Sequence, residues 1–265
     1  MKMSATTFDE QIEKLDLSIF AKIKSQLSDG DKRSLLSCQA AARKLSAPFS
    51  YLEIGSYLGG SIQPYLLDDS CELVYSIDKR PEVQPDERGT SYTYLNNSTQ
   101  RMIELLTEVS AENIGKVKSV DGDTRALDPA VIGEKFDVCF IDGEHTDEAV
   151  LSDFRFCLAH LKENGAILFH DAPITYNGIA GCIEMLREKG IKFRAYSLPD
   201  IVFVIEINDF PIHQSEHVKE LLFNNHLSYL YSLQYNDYYR KFANKSIFRF
   251  YRNMIVKFKG LNRFD

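Results

Sequence analysis

The chain has no close pair of cysteines of the metal or redox type, no apolar run near the length of a membrane span, and no excess of basic residues. Its cysteines, Cys38, Cys71, Cys139, Cys157 and Cys182, are odd in number and far apart. That argues against a disulfide scaffold and reads as reduced thiols of a cytoplasmic protein. The opening MKMSATTFDEQ lacks the apolar core of a secretory signal, and nothing approaches the roughly 18 apolar residues of a spanning helix. A net charge of -7 and a pI near 5.5 make nucleic acid an unexpected partner, because nucleic-acid binders carry a basic footprint. A phosphate-binding P-loop and a catalytic-triad signature are also missing.

What is present suits one α/β domain with extensions: 265 residues, 44% hydrophobic and 26% charged, enough to bury a full core. Thr7 and Glu10 have capping-box spacing, and Ile12, Leu15, Ile19 and Ile23 recur at helical intervals until Gly30. The spacing predicts one amphipathic helix there, and a second over 32–45 that ends before Pro48. Both are expected to pack on the main domain or to cover its site.

Beyond Pro48, strands at 51–54, 73–77, 117–120, 136–141 and 166–169 alternate with helices over 61–67, 98–110, 148–161 and 179–188. Such alternation builds a parallel, doubly wound sheet. Two last strands, 192–197 and 201–207, are separated only by Leu198, Pro199 and Asp200, so they form an antiparallel hairpin rather than another crossover. The expected fold is α/β: a Rossmann-like, doubly wound seven-stranded sheet, mostly parallel with a terminal antiparallel hairpin. It divides into an N-terminal helical extension (1–48), a core domain (49–207) and a helical C-terminal extension (208–265).

Ligands of such sheets sit beyond the carboxyl ends of the strands, where the winding reverses. The stretch 51–61, YLEIGSYLGGS, is the first such end. A short apolar strand runs into glutamate and glycines and a helix begins, offering bare backbone and a helix N-terminus to a nucleotide-like ligand. A plain tight turn uses glycines in the same way. Ser56, Tyr57 and Leu58 follow Gly55, so the G-x-G-x-x-G approach for a pyrophosphate is not provided, and a cofactor without phosphates fits better. Asp78, Asp121, Asp123, Asp142, His145, His170 and Asp171 all fall at strand ends on the same edge. Asp78, about twenty residues beyond the loop, is placed to accept hydrogen bonds from both hydroxyls of a ribose, or is an acidic strand end facing water.

The run 53–61, EIGSYLGGS, resembles the first motif of class I S-adenosylmethionine-dependent methyltransferases, in the E-x-G-x-x-x-G-x-S form of small-molecule O-methyltransferases. IDGEHTDEAVLSDF (141–154) and GAILFHDAP (165–173) are similar to a subgroup related to sugar O-methyltransferases and cephalosporin-hydroxylase-like proteins. The resemblance spans about 50–207. It implies S-adenosyl-L-methionine as cofactor, held by Glu53, Gly55, Ser56, Gly59, Gly60, Ser61, Asp78, Gly122, Asp123 and Asp142. Glu53 holds the loop or the cofactor ammonium, and Asp123, or Asp121 in its place, meets the adenine amino group.

Metal-dependent relatives grip Mg²⁺ with an Asp after the fourth strand and an Asp-Asn pair after the fifth. Here Asp142, His170 and Asp171 take those places, implying Mg²⁺ or another divalent metal, since imidazole shifts preference toward Mn, Fe or Zn. Asp142 and His145 are the candidate catalytic residues. His145 reads as a general base, because an unperturbed imidazole titrates near physiological pH; a metal ligand and a structural histidine are its other readings. Asp153 reads as a solvated helix face, an internal cap or a substrate contact. His160, His213, His217 and His226 fit no motif.

The expected reaction is O-methylation of a small-molecule or sugar-like hydroxyl. Its alternatives are a non-catalytic S-adenosylmethionine-binding module and a hydroxylase-like metal enzyme on the same fold. The acceptor pocket is expected to draw on 79–92, on 173–181 and on the N-terminal helices. The extension 208–265 carries nine Lys/Arg against five Asp/Glu. Its tyrosines Tyr229, Tyr231, Tyr235, Tyr238 and Tyr239 crowd beside Phe242, and over 245–259 Phe248, Tyr251, Ile255 and Phe258 share one helical face. Such a basic amphipathic helix packs on its own domain, joins a homodimer or lies on a membrane surface.

Overall fold

The computed structural model describes residues 7–89 and 91–243, and beyond them residues 247, 250 and 254. In chain order the main elements are α1 (Phe8–Glu13), α2 (Asp29–Ser46), β1 (Phe49–Ile54), α3 (Gln63–Leu67), β2 (Cys71–Asp78), β3 (Val83–Pro85), β4 (Ser91–Thr93) and α4 (Thr99–Val109). They continue with β5 (Val117–Asp121), β6 (Phe136–Ile141), α5 (Asp147–His160), β7 (Leu161–Phe169), α6 (Tyr176–Glu188), β8 (Phe193–Ser197), β9 (Phe203–Ile207), α7 (Glu216–Phe223) and α8 (His226–Ala243).

Seven strands form one sheet in the order β5-β2-β1-β6-β7-β9-β8. The first five are parallel, β9 runs antiparallel to β7, and β8 antiparallel to β9. β1 and β6 are buried at every residue, as strands covered by helices on both faces must be. The winding reverses between them. Ile54 faces Ile141 in register, and Asp142 N–H donates to the Ile54 carbonyl at 2.9 Å. The crevice above these two strand ends therefore begins at Gly55 and Asp142.

Two apolar layers sandwich the sheet. One joins Leu35, Leu36, Phe49, Tyr51, Tyr65, Leu106, Phe140 and Val204; the other joins Leu52, Ile77, Phe136, Phe154, Ile167 and Ile205. Ile19, Phe20, Ile23 and Leu27 belong to the first layer, so the N-terminal segment shares the core of the sheet. Its shape differs from the expected single helix. α1 stops at Glu13, Leu15 takes a left-handed φ of 49°, and Asp16 caps a short 3₁₀ turn at Leu17–Phe20 by accepting from Ser18 N–H. A side-chain oxygen that satisfies a nearby amide competes with continued helix. Ile12, Ile19 and Ile23 are still buried; their spacing marked burial, while the backbone followed the cap.

Three further differences are local. The polar stretch after β2 contains the hairpin β3-β4, which has too few residues to show a period. β7 starts at Leu161, earlier than expected: Leu161 is buried, and residues 162–164 after it lie outside the apolar layers, so this half of the strand shows no apolar run. The terminal hairpin loop extends to Val202, with Asp200 at φ 65°. α7 and α8 make the C-terminal extension largely helical from Glu216 to Ala243; the face of Phe248, Tyr251, Ile255 and Phe258 lies outside the described residues. Among the described residues, no helix is long and apolar enough to cross a membrane.

Candidate active site

The loop after β1 is tied down from beneath. Glu53 is fully buried; its two oxygens accept from Tyr51 Oη and Ser61 Oγ, each at 2.6 Å. Burial pushes its carboxyl up to about 8, against the pull of those two donors. Gly55 has φ +91°, and a Cβ there would stand 2.1 Å from the Asp142 carbonyl oxygen. This position requires glycine on both counts. Asp78, at the tip of β2, accepts Tyr57 N–H at 2.9 Å and Arg80 N–H at 2.7 Å, so it sets the loop against the sheet edge. Ser56 Oγ accepts from Ser76 at 2.7 Å.

Two cavities flank the loop. The first, about 170 Å³, is lined by Gly55, Ser56, Gly60 and Ser61 on one side and by Asp142, His145, His170 and Asp171 on the other. Tyr57, Tyr92, Tyr94, Ile201 and the segment 24–27 complete its wall. The second, about 30 Å³, lies between Gly55, Asp78, Gly122, Asp123 and Asp153, with room for about one water. Lys79 and Arg125 reach across it to Glu144 and Asp123. Asp123 thus faces this cavity, while Asp121 is tied on the outside by Thr99 and Arg80. Asp153 is buried, not solvated, and accepts from Thr124; burial pushes its carboxyl up to about 7. Gly59 packs against Leu106, away from both cavities.

At the far side of the first cavity, Asp142, His170 and Asp171 offer one ligand atom each within 4.8 Å of one another. His170 Nδ1 lies 3.0 Å from Asp142 Oδ1 and 3.0 Å from Asp171 Oδ2. Burial opposes charge on the His170 ring, but these two carboxylates hold its pKa well above the usual range. Burial likewise opposes ionisation of Asp171, yet the same ring draws its carboxyl down to about 2. His145 Nε2 stands 3.1 Å from Asp171 Oδ2, and Nδ1 faces Asp86 Oδ2 at 3.7 Å.

Asp86 escaped sequence reasoning. It belongs to the stretch between β3 and β4, where Arg88 holds both its oxygens, at 2.7 and 2.6 Å, and Glu87 N–H donates to the His145 carbonyl at 2.8 Å. Nothing in a polar loop of that composition marks Asp86 above Glu82 and Glu87. Asp31, which also reaches the site, reads in sequence only as a residue near a helix start. Glu144 carried a better signal, two residues after Asp142.

Residues 52–172 match the family model described as a methyltransferase domain. Among curated proteins no sequence match is found. Of the solved structures similar in fold, the O-methyltransferase NovP has 13% identity and a TM-score of 0.53, covering 68% of this chain and 81% of its own. TomG, an O-methyltransferase of Streptomyces achromogenes involved in tomaymycin synthesis and solved with SAM, has 15% identity and a TM-score of 0.48 over 75% of this chain and 89% of its own. An O-methyltransferase of Bacillus cereus solved with SAH has 14% identity and a TM-score of 0.48 over 78% and 93%. By the family match and the strand order together, residues 52–172 are similar to a methyltransferase domain, and the sheet has the methyltransferase fold seen in NovP.

Proposed function

We propose that the chain transfers the methyl group of S-adenosyl-L-methionine to a hydroxyl of a small or sugar-like molecule, with a divalent metal at Asp142, His170 and Asp171. The observation that carries this reading is the first cavity, where the glycine loop faces the acidic-histidine cluster across one opening. The loop gives bare backbone to the cofactor, and Asp78 and Asp123 flank the side on which adenosine is received. For that, Lys79 and Arg125, which are partly exposed and ion-paired with Glu144 and Asp123, swing off the second cavity.

Methyl transfer asks for alignment of nucleophile, methyl and sulfur more than for side-chain chemistry. His145 borders the cavity with Asp86 behind one ring nitrogen and Asp171 beside the other, and takes the hydroxyl proton as the methyl arrives. The donor set of two carboxylates and an imidazole, already gathered within 4.8 Å, fits a divalent ion. A bound metal would supply Lewis acidity that lowers the cost of the acceptor oxyanion. The five tyrosine and histidine rings at the cavity wall, Tyr57, Tyr92, Tyr94, His145 and His170, suit a small cyclic acceptor.

The test is methyl transfer from labelled S-adenosylmethionine to a panel of sugar and phenolic hydroxyls, with and without added divalent metal. Transfer to any of them supports the reading. Tight S-adenosylhomocysteine binding with no acceptor across the panel would leave a binding module, and turnover that needs iron and oxygen would make it a hydroxylase.

A further inference from the structure

Three carboxylates surround the His170 ring, and one of them comes from outside the methyltransferase domain. Nδ1 looks into the cluster of Asp142 and Asp171. On the opposite edge, buried Nε2 lies 3.3 Å from Oδ2 of Asp31, without the alignment of a full hydrogen bond. Asp31 stands in the first turn of α2 and is 1% exposed. It is fixed where it is: Oδ2 accepts Ser28 N–H at 3.1 Å and Ser28 Oγ at 2.7 Å, and Oδ1 accepts Ile201 N–H at 3.4 Å. Behind it, a Cβ on Gly30 would collide with the Asp200 carboxylate at 1.8 Å. The start of α2 is thus wedged against the β8-β9 loop and cannot drift from the ring.

We propose that Asp31 is a positioning residue which fixes His170 as a nitrogen ligand, and that the site thereby selects a nitrogen-accepting divalent metal such as Mn²⁺ over Mg²⁺. A histidine that binds metal through one nitrogen directs its other N–H to a carboxylate or carbonyl, which sets the tautomer and the ring orientation. Asp31 is the carboxylate placed for that on Nε2, leaving Nδ1 for the ion beside Asp142 and Asp171. Mg²⁺ demands oxygen donors in near-ideal octahedral geometry, whereas imidazole suits later divalent metals. This inference rests on the metal reading above and gives Asp31, in the N-terminal extension, a part in the site that goes beyond covering it.

The experiment titrates Mn²⁺ and Mg²⁺ separately into chelator-treated full-length protein, reading heat of binding and the loss of the free-Mn²⁺ electron paramagnetic resonance signal. The parent protein is expected to bind Mn²⁺ more tightly than Mg²⁺. Asp31→Asn, which retains an oxygen for the helix cap, is expected to lose about 10–100-fold in Mn²⁺ affinity while thermal melts show it folded. His170→Asp, the second variant, is expected to move preference toward Mg²⁺. Unchanged Mn²⁺ affinity in folded Asp31→Asn overturns the positioning role, and equal Mg²⁺ and Mn²⁺ affinity in the parent overturns the selectivity. No binding of either ion by the parent removes the metal reading itself, a distinguishable failure.

Discussion

Gly55, in the loop, and Glu53, in the strand that leads into it, carry opposite kinds of constraint. At Gly55 the left-handed φ and the Asp142 carbonyl together forbid a side chain, so Gly55→Ala should lower stability by more than ~1 kcal/mol and abolish cofactor binding, both read from melts with and without S-adenosylhomocysteine. Glu53 is held neutral by burial: its ordinary value near 4.5 becomes about 8 in the fold. Since the folded state keeps the proton and the unfolded chain releases it, folding stability falls as pH rises from about 4.5 to about 8. The slope from this one group is at most ~1.4 kcal/mol per pH unit. Glu53→Gln should remove that slope, seen as a flatter dependence of denaturation midpoint on pH. At His145 the expectation concerns turnover. His145→Ala should lower it by about 10²–10⁴-fold with cofactor affinity nearly unchanged; unaltered turnover would return His145 to a structural role.

Elements decide which of these residues meet. β1 and β6 deliver Gly55 and Asp142 side by side because they are register neighbours at the winding reversal, and β7 ends one strand further on with His170 N–H bound to the Ile141 carbonyl at 2.9 Å. The helix α2 does two things at once. Leu35 and Leu36 seal the first apolar layer, and Asp31 reaches His170. Leu35→Ala should therefore cost about 2–5 kcal/mol of stability in chemical denaturation. The β3-β4 stretch performs a comparable service for His145 through Asp86. Both contacts come from elements whose sequence shows only a cap or a polar loop, because side chains that meet across long chain separations leave no local period.

At the scale of the whole molecule, the doubly wound sheet was legible because each strand is a short apolar run ending in a polar residue, and the hairpin because its two strands lie too close for a crossover. The strand-end acids and histidines were legible for the same reason. What stayed hidden was the distribution of partners: that Asp153 is buried beside the second cavity, that Asp31 lies against the His170 ring and that Asp86 backs His145. Those depend on which side chains turn toward each other after packing, which a single chain's periodicity does not encode. The central claim is that the loop at 51–61 receives S-adenosylmethionine. Its most direct test is isothermal titration of S-adenosylhomocysteine into the full-length protein: the account predicts saturable one-to-one binding that Gly55→Ala abolishes, and a titration without heat at any concentration would contradict it.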